Sequence, residues 1–156
     1  RIKLHILDLQ LISKLVADSL SDITSGLGDL FEMRLMFEPD CAYYAAQRAT
    51  DEEIATICKW GEEVEKKILS GEDRTVEEQK FHESIANATH NSFVQQFMPI
   101  IFNAIKKGVV VLMKDGSVSS DNMNDDRLIM DFIKKRNAEG ARTAMRLHII
   151  HAMEHI

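Results

Sequence analysis

Apolar residues recur along this chain at intervals of three and four, the spacing that gathers side chains onto one face of a helix. Leu9, Ile12, Leu15, Val16 and Leu20 mark a first helix. After Gly26-Leu27-Gly28, a long pattern runs from Asp29 to Arg48 through Leu30, Met33, Phe37, Ala42, Ala45 and Ala46. Pro39 lies inside it and predicts a kink or split near Phe37-Glu38, because proline removes a helical hydrogen bond. Thr50 with Glu53 three residues on is a capping box. It opens a helix carrying Ile54, Ile57, Trp60, Val64 and Ile68, which stops near Ser70-Gly71. Another helix starts at Thr75 and runs toward Asn91. The next spans Phe93 to about Lys114, with Pro99 inside it. A polar loop from Asp115 to Asp121 precedes a helix over Met123–Arg136. After a junction at 137–140, a last helix covers Ala141–Glu154. No strand alternation, repeat or low-complexity linker interrupts this pattern. The expected fold is an all-α antiparallel bundle of six or seven helices.

Composition narrows the classes. The chain has 156 residues, enough for one domain with a real core. Only 2 prolines and 7 glycines leave long helices largely unbroken. The formal net charge of −6 and the lack of a basic run argue against a direct grip on a phosphate backbone. No stretch is long and apolar enough to span a membrane. Cys41 and Cys58 are isolated, as expected of a reduced, cytoplasmic protein rather than a disulfide scaffold.

Candidate chemistry lies on the shoulders of the apolar stripes. On a helical wheel of roughly 100° per residue, Phe81, Ile85 and Ala88 centre one stripe, and Glu78 and His82 sit together at its edge. Their i, i+4 spacing lets an acid and an imidazole share one ligand. His148 falls within the stripe Ala141, Ala144, Met145, Ala152, and Asp126 begins the stripe Ile129, Met130, Ile133. Four such groups from three helices can converge in a bundle as metal ligands do. Each has a plainer reading as well. A lone core histidine is usually a hydrogen-bonded structural group. Glu78 and Asp126 could be first-turn acids or caps. Met98 and Met113 belong to core stripes.

Three segments resemble the effector-sensing C-terminal (FCD) domain of the FadR subfamily of GntR-type bacterial transcription regulators. They are LFEMRLMFEPDCAYYAAQRAT at 30–50, EQKFHESIANATHN at 78–91 and DRLIMDFIKKRNAEGARTAMRLHI at 126–149. The resemblance covers roughly Leu9 to His155. It implies a dimerising helical bundle, and a divalent metal held by Glu78, His82, Asp126 and His148. Glu78 stands where the family has Asp, and Asp126 where His is usual. These harder ligands accommodate zinc first, with manganese, nickel or iron as alternatives. The resemblance further implies a small carboxylate effector, with Arg34 as a bidentate clamp and Asn91 as a donor. Arg34 could equally pair with Glu38 one turn on, and Asn91 could cap the next helix. On this reading residues 1–8 are a leader from an N-terminal winged helix-turn-helix, and residues 9–156 sense the effector and form a homodimer. DNA would be bound only through that missing domain, and the chain is expected not to be an enzyme. The alternative is a mononuclear metal-dependent hydrolase on a helical bundle. Neither Glu-x-x-His nor His-Glu-x-x-His occurs here.

Overall fold

The computed structural model describes residues 26–112 and 121–154, together with Leu11 and Lys14. The leader, most of the first expected helix, the loop at 115–120, Met113 and His155 lie outside these residues. The described part contains six helices: α1 (Leu27–Arg48), α2 (Asp51–Ser70), α3 (Thr75–Asn87), α4 (Ser92–Leu112), α5 (Asp121–Lys134) and α6 (Ala138–Met153). Among the described residues there is no strand. This is the all-α bundle that the periodicity predicts.

Local chemistry sets the ends of the helices. The Thr50 hydroxyl accepts from the Glu53 amide at 3.2 Å, and the Glu53 carboxylate accepts from the Thr50 amide at 2.8 Å. The capping box thus satisfies two otherwise orphaned donors of α2. Gly71 ends α2 at φ 69, and the amides of Gly71 and Glu72 return to the carbonyls of Ile68 and Lys67. That left-handed position suits a residue without a Cβ. Arg136 adopts φ 55 after α5, where the Arg136 and Asn137 amides bond back to Ile133 and Phe132. Its guanidinium donates to the Ala49 carbonyl at 2.7 Å, which ties that turn to the end of α1. Asn137 then caps α6 by accepting from the Gly140 amide.

Pro39 does not split α1, which is one helix from Leu27 to Arg48, and Pro99 likewise lies within α4. Proline removes one rung of the ladder. Buried residues on both sides of Pro39 (Arg34 and Glu38 before it, Cys41, Ala42, Ala45 and Ala46 after it) hold the flanking turns in one face against the core. The third helix ends at Asn87, earlier than the pattern suggests, and His90 turns the chain at φ 55.

Helix α1 lies against α6, and α5 also packs on α6. Fully buried Ala42, Ala45 and Ala46 face buried Ala141 and Ala144 in one core. Small side chains allow helix axes to approach closely. Phe81 and Ile85 of α3, Ile57 and Val64 of α2, Ile129 and Ile133 of α5, and Met145 and Ile149 of α6 fill that core. Helix α3 touches α1, α2 and α4, so its polar shoulder faces inward, toward α1 and α6.

Candidate metal centre

Eight polar or charged residues are buried in the described part: Arg34, Glu38, Arg74, His82, Thr89, Asp125, Asp126 and His148. Burial of a charge is costly unless it is paired, so the pairing of these groups carries the chemical information.

Glu78 and His82 project from consecutive turns of α3, and His148 reaches them from α6. The two Nε2 atoms stand 3.1 Å apart. Glu78 Oε1 is 3.2 Å from His148 Nε2 and 3.5 Å from His82 Nε2. These residues form a group whose candidate ligand atoms all lie within 4.8 Å of one another. An ion at the usual ligand distance of about 2.1 Å spans neighbouring donors about 3–3.5 Å apart. The three donors therefore fit one divalent ion, and two imidazoles with one carboxylate suit zinc or a similar first-row metal.

The opposite ring nitrogens both face carboxylates. His82 Nδ1 lies 2.5 Å from Glu38 Oε2, and His148 Nδ1 lies 3.2 Å from Asp126 Oδ1. The expected ligand Asp126 is thus buried beside His148, but it stands behind the imidazole rather than among the three converging donors. Both Asp126 oxygens, His148 Nδ1 and Glu78 Oε2 lack a hydrogen-bond partner. Arg74 Nε approaches Glu78 Oε2 at 3.4 Å. Two buried guanidiniums pair with two of these acids, Arg34 with Glu38 and Arg74 with Glu78.

Arg34 occupies the near side of His82. Its Nε donates to Glu38 Oε1 at 2.5 Å and its Nη2 to Oε2 at 3.3 Å. The same Nη2 is 3.4 Å from His82 Nε2. Arg34 therefore has the Glu38 ion pair and also borders the site. Asn91 stays outside. It is exposed, and its Oδ1 accepts from the amides of Phe93 and Val94 as the cap of α4. A surface concavity of about 410 Å³ between α1 and α6, lined by Met36, Asp40, Arg142 and Arg146 among others, shares no residue with the cluster.

Burial and charge pull these groups in opposite directions. Burial raises the Glu38 carboxyl, but the Arg34 and His82 charges and hydrogen bonds outweigh it and hold the group down at about 2. Glu78 is likewise penalised by burial, yet His148 and His82 bring it well below the ordinary carboxylate range. Asp126 goes the other way, pushed well up by burial and by the nearby Glu78 charge. Burial lowers His82, but Glu38 more than compensates and raises it. Burial depresses His148 despite Glu78.

Glu38, Arg74 and Asp125 were missed as site residues from sequence. Asp125 pairs with His151 at 2.7 Å, next to Asp126 on α5 and one turn beyond His148 on α6.

The profile of the FCD domain matches residues 29–151. This chain belongs to the FCD domain family. It is similar to two transcription regulators and to one solved GntR structure. It is 24% identical over 142 residues to YdhC, an HTH-type transcriptional regulator of Bacillus subtilis (strain 168), covering 88% of this chain and 63% of that protein. It is 28% identical over 130 residues to a protein of Escherichia coli (strain K12) named as an L-lactate dehydrogenase operon regulatory protein, covering 78% of this chain and 48% of that one. The solved Streptococcus agalactiae GntR superposes with a TM-score of 0.71 at 28% identity, covering 81% of this chain and 57% of that chain. The chain thus spans between about half and two thirds of the length of the relatives it matches.

Proposed function

We propose that this FCD domain is the effector-sensing and dimerisation module of a FadR-type GntR regulator, and that it binds a small organic acid with the help of a divalent metal. The observation that carries the reading is the convergence of Glu78 Oε1, His82 Nε2 and His148 Nε2, with Glu38 and Asp126 behind the two imidazoles. Glu78, His82 and His148 would hold the ion, zinc first. Asp126 would orient His148 through Nδ1, as carboxylates commonly do for metal-bound histidines. The ion, when bound, supplies a fixed positive centre with positions open to a carboxylate. Arg34, 3.4 Å from His82 Nε2, offers the second anchor for that anion. The E. coli relative is named for an L-lactate dehydrogenase operon, so 2-hydroxy acids are the first class to try.

Regulation follows by population shift. An acid that binds one arrangement of α1, α3 and α6 better than another favours that arrangement, and DNA readers attached to a homodimer change their spacing. Native mass spectrometry with elemental analysis should find about one metal per chain, lost in His82→Ala and in His148→Ala. L-lactate or a related acid should raise the melting temperature, and a chelator should remove the gain. Metal-free protein whose melting no small acid moves would refute the reading.

A further inference from the structure

We propose that Glu38 is the positioning residue that couples the cation half of the site to its anion half. One buried carboxylate holds His82 through Nδ1 and restrains Arg34, so a cation at His82 Nε2 and an anion at Arg34 act on each other through it. This rests on the metal-site reading above.

Glu38 sits in the middle of α1 at 2% exposure, so water does not compete for its oxygens. Oε1 accepts from Arg34 Nε, while Oε2 is shared between Arg34 Nη2 at 3.3 Å and His82 Nδ1 at 2.5 Å. An ionised carboxylate only accepts, so the proton of this contact is on Nδ1. The tautomer with Nδ1 protonated leaves a lone pair on Nε2, which faces Glu78, His148 and Arg34 Nη2, and this is the form a cation requires. Arg34 Nε and Nη2 are engaged with Glu38. Among the described residues, no hydrogen bond uses Arg34 Nη1. Nη1 is the donor that an anion would take.

The direction of the coupling follows from the shared oxygen. A cation on Nε2 withdraws density from the ring and makes Nδ1–H a stronger donor. Glu38 is then drawn toward His82 and neutralises Arg34 less, which makes Arg34 a better anion receptor. Conversely, an anion on Arg34 frees Glu38 to hold His82. Linkage makes the two effects equal.

Zinc affinity, measured by competition with a chromophoric chelator, tests this in wild type and Glu38→Gln. Glu38→Gln should weaken zinc binding by about 10–100-fold. An unchanged affinity in Glu38→Gln overturns the proposal. Nitrogen-15 NMR of the wild-type chain gives a test independent of any variant. The His82 proton should sit on Nδ1 with and without zinc, and the Arg34 Nε–H resonance should move on zinc addition. A zinc-loaded His82 protonated on Nε2, or an Arg34 signal indifferent to zinc, also overturns it. Zinc binding that survives both His82→Ala and His148→Ala, or no zinc binding at all, removes the metal-site reading itself and this proposal with it.

Discussion

Replacing Glu38 by glutamine should change how the metal-free domain responds to acid. The carboxyl of Glu38 is held at about 2, against 4.5 for an unperturbed glutamate. That difference corresponds to roughly 3 kcal/mol of folding stability at neutral pH, because each pH unit of displacement is worth about 1.4 kcal/mol. The group is depressed in the folded state, so its contribution is present above about pH 4.5 and is lost as pH falls toward 2. Glutamine stands in for the protonated form and never gains this contribution. Urea unfolding followed by circular dichroism, with chelator present, should therefore show the variant less stable by roughly 3 kcal/mol at pH 7. The gap should narrow through pH 4 and 3 and nearly close by about pH 2. Such a loss still leaves a domain of ordinary stability, about 5–15 kcal/mol, largely folded. A gap that stays constant from pH 7 to pH 2 would refute the reasoning, since it would mean that glutamine disturbs packing and that the ionised carboxylate contributes nothing.

Three further outcomes follow. Asp126→Asn should leave the metal-free domain as stable as wild type or more so in urea, because burial and Glu78 already disfavour the aspartate charge, while zinc affinity should fall by about 10–100-fold. Gly140→Ala should destabilise by about 1–3 kcal/mol, read as a lower melting temperature, because a Cβ there would sit 2.6 Å from Phe132 Cε1 and closer still to Cδ1; an unchanged melting temperature would mean that the Phe132 ring moves freely. Thr50→Ala removes one side of the capping box and should cost about 1 kcal/mol in urea denaturation, with the circular dichroism of the folded state little altered.

Helix positions were legible because the apolar period and the capping box at Thr50 are local signals. The continuity of α1 through Pro39 was not, since burial on both sides of the proline overrides a local preference. The candidate cluster was readable where two of its residues lie one helix turn apart, as Glu78 and His82 do, and where the stripe of α6 pointed His148 inward. Asp126 was rightly placed in the interior, but which side of an imidazole it faces depends on how α5 sits against α6. Glu38 had a visible signal, since it shares the buried face of α1 with Arg34, Cys41, Ala42 and Ala45. Read locally it was only a partner for Arg34, and its contact with His82 joins positions far apart in the chain. Arg74 gave no such hint, because its burial exists only once α3 is packed.

Pro39 has no amide hydrogen, so the Leu35 carbonyl lacks its helical donor. The Arg34–Glu38 ion pair crosses that same turn and acts there as a side-chain staple. An anion that draws the guanidinium away from Glu38 would therefore loosen α1 at the one turn already short of a backbone bond. Binding chemistry and bending stiffness would then meet in the same few residues, and the stretch from Leu27 to Leu35 would become a lever whose pivot is set by what occupies the candidate site.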